Sequence, residues 1–295
     1  MFWDTIIRES IPDCYADEGF TTVATNPCGE IPLCPYDSCR LLAINLLSYV
    51  DKPFTKEASF NFEKFKQHVE KAMRMMDDII DLELEKIELI INKIAADPED
   101  EDIRRVELEL WKKIRTMARK GRRTGLGITA EGDMLAALGL RYGTPEATAF
   151  AVKVQKTLAL EAYRASVKMA AERGAFEIFD ARKEEKNPMI GRIREADPEL
   201  YAEMVKHGRR NIAMLTIAPT GTTSLMSQTT SGIEPVFRPV YKRRRKINPS
   251  DQDAKVAFVD DMAKSSKSTR LSPQLRQMAR SQRIRYLETA RHIGR

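Results

Sequence analysis

The longest regular pattern in the chain is a run of apolar residues spaced three and four apart. Between residues 65 and 94 it comprises Phe65, Val69, Met73, Met76, Ile80, Leu84, Ile87, Ile91 and Ile94. Such spacing puts the apolar side chains on one face of a helix, with charged residues on the other. The pattern therefore predicts an amphipathic helix of about eight turns.

Three further helices are predicted from their end signals. Each begins after an Asp or Thr followed by Pro and ends at a Gly, which is the typical asymmetry of helix caps. The first also carries acidic residues in its first turn and basic residues in its last, as the helix dipole favours. These helices follow Asp97-Pro98, Thr144-Pro145 and Asp197-Pro198 and end at Gly121, Gly174 and Gly208.

Short apolar segments between the helices are typical of strands. Alternation of such segments with helices predicts an α/β fold, arranged as a layer or a barrel. Internal repeats are absent, and there is no low-complexity linker before about Lys264. The candidate strands are Arg122 to Thr129, Ala175 to Phe179, Asn211 to Ala218 and Pro235 to Tyr241.

Composition narrows the class of protein. The 295 residues, of which 42% are hydrophobic, can build one large α/β domain or two smaller ones. No apolar run approaches the roughly 18 residues of a membrane span, and the first residues, MFWDTIIRES, lack the features of a signal peptide. A cytoplasmic protein with no membrane partner is expected.

The net charge of +6 is unevenly distributed. From Lys264 to Arg295, two lysines and seven arginines against one glutamate make +8, which leaves 6 − 8 = −2 for the first 263 residues. This balance argues against direct binding of nucleic acid. The KRRRK run at Lys242 to Lys246 is interpreted as a solvated surface segment, with a subunit or nucleotide contact as the alternative.

All four cysteines lie in the first 39 residues: Cys14, Cys28, Cys34 and Cys39. Their spacing lacks the paired CxxC pattern of zinc sites, so no metal site is expected. In a reducing compartment, clustered cysteines that bind no metal are either redox-active or inert buried thiols, and both interpretations stay open.

The segment Asn26-Pro27-Cys28-Gly29-Glu30 offers an amide, a thiol and a carboxylate at every second position. In an extended strand or finger loop these three side chains project to one side and can face one small substrate. The alternative is a proline- and glycine-rich turn with a buried cysteine and a solvated glutamate.

A second candidate site follows the apolar segment NIAMLTIA. The residues Pro219 to Ser224 read as a hydroxyl-rich turn that opens a helix, an arrangement that suits phosphate through free N–H groups. An ordinary capped turn with nothing bound is the alternative. No Gly-Lys-Ser/Thr follows, so this is not a Walker loop, and Gly125-Leu126-Gly127 is too short to indicate a dinucleotide fold.

Three segments carry a resemblance to one family. Asn26 to Leu46, NPCGEIPLCPYDSCRLLAINL, closely resembles the active-site finger loop of ribonucleotide reductases, above all of the adenosylcobalamin-dependent, class II form. Ala218 to Ser224 resembles the substrate-phosphate loop of that family, and Ser231 to Pro235 the segment after it. Gly121 to Leu140 also looks like family sequence. The resemblance covers about residues 1–261 and implies part of a ten-stranded α/β barrel.

The resemblance also implies roles for individual residues. Cys28 would carry the thiyl radical that abstracts the ribose 3′ hydrogen, Glu30 would be the general base for the 3′ hydroxyl, and Asn26 would orient the substrate. Cys39 matches the downstream member of the redox pair that reduces the 2′ position. The implied cofactor is adenosylcobalamin, and the implied reductant is an external dithiol such as thioredoxin. Ribonucleoside diphosphate is the expected substrate, its phosphates bound by Ala218, Pro219, Thr220, Gly221, Thr222, Thr223 and Ser224.

The expected organisation is a partial catalytic barrel over residues 1–262 and a basic tail of unclear origin over 263–295. The family's upstream partner of Cys39 and its N-terminal half-barrel are expected on a separately encoded N-terminal part, with self-association as the alternative. The C-terminal cysteine pair of the family has no match in this sequence. The alternative function is a non-catalytic fragment or nucleotide-binding remnant. A thiol-disulfide oxidoreductase using Cys34 and Cys39 is disfavoured because no CxxC motif opens a helix.

Overall fold

The computed structural model describes residues 3–237 and three strands beyond them. Helices dominate the described part. The α-helices are α1 (Trp3–Glu9), α2 (Phe62–Ala95), α3 (Glu101–Gly121), α4 (Glu131–Ala137), α5 (Pro145–Arg173), α6 (Ala181–Glu184), α7 (Pro188–Ala196), α8 (Pro198–His207) and α9 (Gly221–Ser227). Two short 3₁₀ helices span Pro12–Glu18 and Leu46–Tyr49.

Helix α2 confirms the helix predicted from the apolar spacing. Its N-terminus is capped by Asn61, whose side chain accepts a hydrogen bond from the N–H of Lys64 at 3.0 Å. The predicted apolar face is buried, with Phe65, Val69 and Met73 fully excluded from solvent. This face packs the helix into the core, where α2 contacts both α3 and α5.

The three helices predicted from their caps are also present. Thr144 and Asp197 accept hydrogen bonds from the N–H groups of Ala147 and Leu200, which begin α5 and α8. Helix α3 begins at Glu101 because Asp100, rather than Asp97, caps it by accepting from the N–H of Asp102.

The strands are short and lie in small sheets. In chain order they are β1 (Ala24–Thr25), β2 (Pro32–Leu33), β3 (Leu42–Asn45), β4 (Val50–Asp51), β5 (Ser59–Phe60), β6 (Leu126–Thr129), β7 (Val240–Lys246), β8 (Val259–Asp260) and β9 (Ser265–Leu271). The antiparallel pairs are β1–β2 and β4–β5, the parallel pair is β3–β6, and β9 lies between β7 and β8.

The parallel pair β3–β6 places Leu42 opposite Leu126 and Asn45 opposite Thr129. All four residues of β6 are buried. The segment 213–216 runs along the other side of β6, since the N–H of Leu126 donates to the carbonyl of Met214 and the N–H of Thr216 donates to that of Leu126. Three backbone segments therefore lie side by side here.

Several strand predictions were wrong in extent. Only residues 126–129 of the first candidate form a strand, because Arg122 adopts the left-handed conformation that ends α3. The segment Asn211 to Ala218 forms no regular strand, and its one β-type pairing is an isolated parallel bridge between Leu215 and Leu126. Of Pro235 to Tyr241, only the end joins β7, and residues 238 and 239 lie outside the described residues.

The segment Ala175 to Phe179 forms a turn rather than a strand. The N–H of Phe179 donates to the carbonyl of Phe176 at 3.0 Å, which bends the backbone back on itself. Phe176 is buried against the ring of Tyr15, so its apolar character reflects core packing instead of strand pairing.

The described strands do not close into a barrel, and this part of the chain is richer in helix than the predicted alternation. The KRRRK run lies within β7, which pairs with β9 at the beginning of the predicted basic tail. The boundary at residue 262 stays a prediction, and most of the tail lies outside the described residues. Across residues 3–237 no helix is long and apolar enough to cross a membrane.

Candidate active site

The Asn26–Glu30 segment is the tip of a hairpin between β1 and β2, not an extended strand. The N–H of Asn26 donates to the carbonyl of Ile31 at 3.1 Å, and the N–H of Gly29 donates to the carbonyl of Asn26 at 3.0 Å. Gly29 has a φ of 83°, a conformation that favours glycine. The side chains converge because the chain turns tightly.

Asn26 and Glu30 form a fixed pair. The Oδ1 atom of Asn26 accepts from the N–H of Ile31 at 2.9 Å, which orients the amide so that its Nδ2 donates to Glu30 Oε2 at 2.6 Å. Glu30 Oε1 is buried and has no hydrogen-bond partner in the described structure. The Thr216 hydroxyl donates to the Glu30 carbonyl at 3.0 Å and ties the hairpin to the segment beside β6.

The two thiols assigned to chemistry, Cys28 and Cys39, both belong to exposed residues. Asn26 Nδ2 also donates to the sulfur of Cys39 at 3.9 Å, so the same amide nitrogen contacts both Glu30 and Cys39. Partial burial raises the pKa of the Cys39 thiol, and the neighbouring Glu30 and Cys28 raise it further, while Arg123 and Arg40 oppose them. The thiol therefore stays protonated near neutral pH.

The other two cysteines lie in different surroundings. Cys34 is buried, which raises the pKa of its thiol to about 12, and Arg123 Nη2 donates to its sulfur at 3.9 Å. Cys14 is half-buried and accepts a hydrogen bond from Asn187. Within the described residues, no three His, Cys, Asp or Glu side chains are grouped to hold a metal ion.

The predicted phosphate loop joins the segment beside β6 to α9. Thr220 is β-branched yet has a φ of 51°, and its hydroxyl holds it there by bonding the hydroxyl of Thr129 at 3.1 Å and accepting from the N–H of Gly232 at 2.9 Å. The hydroxyl of Ser224 donates to the carbonyl of Gly221. Thr222 and Thr223 are exposed.

The hairpin and the loop line one pocket of about 430 Å³. Of the predicted phosphate residues, Thr222 and Ser224 are not in its wall. The lining comprises Asn26, Cys28, Glu30, Leu41, Leu42, Ala43, Gly125, Gly127, Thr216, Ala218, Pro219, Thr220, Gly221 and Thr223.

Sequence reasoning missed three residues of this wall, Thr216, Gly125 and Gly127. A Cβ on Gly125 would lie 2.5 Å from the Arg40 carbonyl oxygen, and one on Gly127 would lie 2.0 Å from that of Thr216. Glycine is therefore required for the three central segments to approach one another. The GLG spacing was the available signal, once it is interpreted as close backbone packing instead of nucleotide binding.

A hairpin thiol, a carboxylate, an amide and a hydroxyl-rich loop therefore line one pocket, which makes this pocket the candidate active site. The family model of the ribonucleotide reductase barrel domain matches residues 13–289 of the chain. The chain therefore belongs to the ribonucleotide reductase barrel-domain family. The match continues beyond residue 262.

Individual relatives agree with this family. A vitamin B12-dependent ribonucleoside-diphosphate reductase of Mycobacterium tuberculosis is 32% identical over 221 residues, covering 75% of this chain and 25% of the relative. The protein of the same description from Thermoplasma acidophilum is 34% identical over 220 residues, covering 75% of this chain and 23% of the relative. The chain thus spans about a quarter of the length of these relatives.

Among solved structures, the Actinobacillus ureae class Id ribonucleotide reductase alpha subunit resembles the chain with a TM-score of 0.50 and 21% sequence identity. The similarity covers 76% of this chain and 34% of that subunit. It supports the fold alone.

Proposed function

We propose that this chain carries the catalytic hairpin and the phosphate loop of a ribonucleoside-diphosphate reductase of the vitamin B12-dependent kind. One observation carries the proposal: Cys28, Glu30 and Asn26 line the same pocket as the loop Ala218 to Gly221. The volume of about 430 Å³ suits a nucleotide's sugar and phosphates. The relatives named for this reaction support the choice of substrate.

The proposed chemistry assigns one function to each polar group. Glu30 accepts the proton of the ribose 3′ hydroxyl through its unpartnered Oε1, which is the atom left free by the Asn26 contact. Asn26 keeps that carboxylate in place and orients the substrate. A base held within hydrogen-bond reach is the geometry that general base catalysis needs.

Cys28, Cys39 and a second cysteine that pairs with Cys39 perform the hydrogen and electron transfers in this proposal. Cys28, as a thiyl radical, removes the 3′ hydrogen atom and returns it to C3′ after reduction at C2′, which restores the thiyl radical, because the S–H and activated C–H bonds are similar in strength. Cys39 and a second cysteine then supply two hydrogens as water leaves from C2′, and the pair ends as a disulfide. A raised Cys39 pKa suits this step because the thiol must bring its proton.

One feature of the described residues suits cobalamin: Cys28 is exposed, so its thiol is accessible to a bound cofactor. When bound, this cofactor supplies the radical. No other residue is assigned to the cofactor.

A second polypeptide is part of the proposal, either a separately encoded reductase part or another copy of the chain. Cys39 needs a redox partner, and the two remaining thiols are poor candidates. Cys34 is buried with its pKa raised to about 12, and Cys14 contacts Asn187. The added part would complete the ten-stranded barrel, and a thioredoxin-like dithiol of the cytoplasm would reduce the disulfide.

Deoxynucleotide formation tests the proposal. The chain is assayed with a ribonucleoside diphosphate, adenosylcobalamin and dithiol, alone and co-expressed with an N-terminal reductase fragment. We expect turnover only in the complex, and turnover that is lost in the Cys39→Ser variant. Diphosphate binding without turnover in a soluble complex would favour the nucleotide-binding remnant, whereas absence of both binding and turnover would overturn the proposal.

A further inference from the structure

Cys39 lies between two residues that both contact Arg123. Asp37, two positions before it, accepts from Arg123 Nε through Oδ2 at 2.6 Å. Arg40, one position after it, donates from Nη1 to the carbonyl oxygen of Arg123 at 2.9 Å. The side chains of Asp37, Arg40 and Arg123 are 1%, 4% and 5% exposed. One residue from a distant part of the chain thus holds both sides of the thiol.

The segment needs such contacts because it has no regular structure of its own. Residues 34–41 belong to no helix or strand, and β3 begins only at Leu42. Asp37 also accepts from the N–H of Ser38 at 2.8 Å, so the carboxylate that binds Arg123 shapes the turn directly before Cys39. Buried charge-assisted hydrogen bonds of this kind restrict backbone geometry strongly.

Arg123 is itself firmly placed. The next residue, Thr124, donates its N–H to the carbonyl of Ala213 at 2.9 Å, which continues the pairing beside β6. The planar guanidinium bonds Asp37 through Nε and reaches the Cys34 sulfur through Nη2, a fork that lysine cannot reproduce.

We propose that Arg123 is a positioning residue for Cys39, holding this thiol beside the Asn26 amide by binding Asp37 and Arg40. The Cys28 thiol is close enough to act electrostatically on that of Cys39. The role of Cys39 in redox chemistry rests on the proposed function, but its placement by Arg123 does not. Glu83 of α2 anchors the other edge of the Arg40 guanidinium through Nε, so the support extends into the core.

Bridging of two thiols by dibromobimane measures their juxtaposition without any turnover. Each thiolate displaces one bromide, and fluorescence follows closure of the ring. The parent carries Cys14→Ala and keeps Cys34, which contacts Arg123 and is buried with its thiol pKa raised to about 12, so that Cys28 and Cys39 are the reactive pair. We expect Arg123→Gln and Asp37→Asn to slow bridging about tenfold, because ring closure depends on how well the two thiols are held. Alkylation of Cys28 alone by iodoacetamide should stay unchanged.

Arg122→Gln is the matched control. Arg122 is as buried as Arg123, and its ion pairs are with Asp77 and Asp81 instead of the segment around Cys39. The replacement therefore removes a buried charge without touching that segment. Bridging at the parental rate in folded Arg123→Gln or Asp37→Asn would overturn the proposal, as would equal slowing by Arg122→Gln. If Arg123→Gln does not fold, the near-isosteric Asp37→Asn decides alone. A chain that bridges as expected but supports no turnover would contradict only the proposed function.

Discussion

Two carboxylates of this molecule, Glu30 and Glu184, show how differently the same group can be placed. Glu184 is 1% exposed, and both of its oxygens are bound: Oε1 by the Tyr15 hydroxyl at 2.5 Å and Arg209 Nη2 at 2.7 Å, and Oε2 by Arg209 Nη1. Glu30 has one oxygen bound by Asn26 and the other buried without a partner at a pocket.

The two carboxylates differ in whether an oxygen remains available for a ligand. Arg209 is fully buried among the rings of Tyr163, Phe176 and Phe179. Because both oxygens of Glu184 already accept hydrogen bonds, neither is available to a ligand. An unpartnered oxygen such as Oε1 of Glu30 is costly to a folded protein, and this cost is offset when a substrate binds it. A saturated carboxylate suits a structural role, and a carboxylate oxygen without a partner suits the proton-accepting role proposed for Glu30.

The largest expected effect is at the thiol next to Glu30. Cys28→Ser should abolish turnover in any active assembly, because a serine O–H bond is too strong to yield the required radical. The exposed position predicts an unchanged melting temperature. Appreciable deoxynucleotide formation by the variant would remove Cys28 from its proposed role.

Glu30→Gln tests the unsatisfied carboxylate. The chemical step should slow by roughly two to four orders of magnitude, the usual contribution of a positioned general base. Single-turnover kinetics with saturating substrate would measure this step, and thermal unfolding would show little change. A variant that lost only substrate affinity would make Glu30 a binding residue instead.

Glu184→Gln tests the saturated carboxylate and serves as the matched control. It leaves Arg209 buried without a counter-charge, so the free energy of unfolding should fall by about 3–5 kcal/mol. Urea denaturation gives this quantity, while affinity of the folded variant for a ribonucleoside diphosphate should stay the same. An unfolding free energy equal to that of the parent would show that the pair is replaceable.

The smallest effect is expected at the phosphate loop. Thr223→Ala removes a hydroxyl from the pocket wall and should weaken diphosphate binding by about 1 kcal/mol, the typical contribution of a neutral hydrogen bond. Thr222→Ala is the control, since Thr222 is exposed outside that wall. Calorimetric titration distinguishes the two, and equal losses would show that the loop binds phosphate in another way.

The helices could be predicted because their signals are local. In α5, the cap at Thr144 and the terminal Gly174 lie within the helix or beside it, so no distant residue is needed to define its ends. The apolar segment around Phe176 misled the prediction because a turn that buries a ring and a strand that buries alternate side chains need the same residue types.

The site was predicted in part. Asn26, Cys28 and Glu30 could be singled out because they lie within five consecutive residues, and a tight turn instead of an extended strand brings them to one pocket. Their roles stay predictions. Thr216 could not be found, since its hydroxyl bonds the Glu30 carbonyl across 186 positions of sequence.

The sequence by itself determined the long helices and their caps, the residue types of the hairpin and loop, and the resemblance to one reductase family. Only the tertiary structure decided that the hairpin and the loop face one pocket, that Glu30 keeps one oxygen free, and that Arg123 holds both sides of Cys39. The physical reason is that capping and amphipathic spacing act over a few residues, whereas pocket walls and buried ion pairs depend on which distant segments pack together.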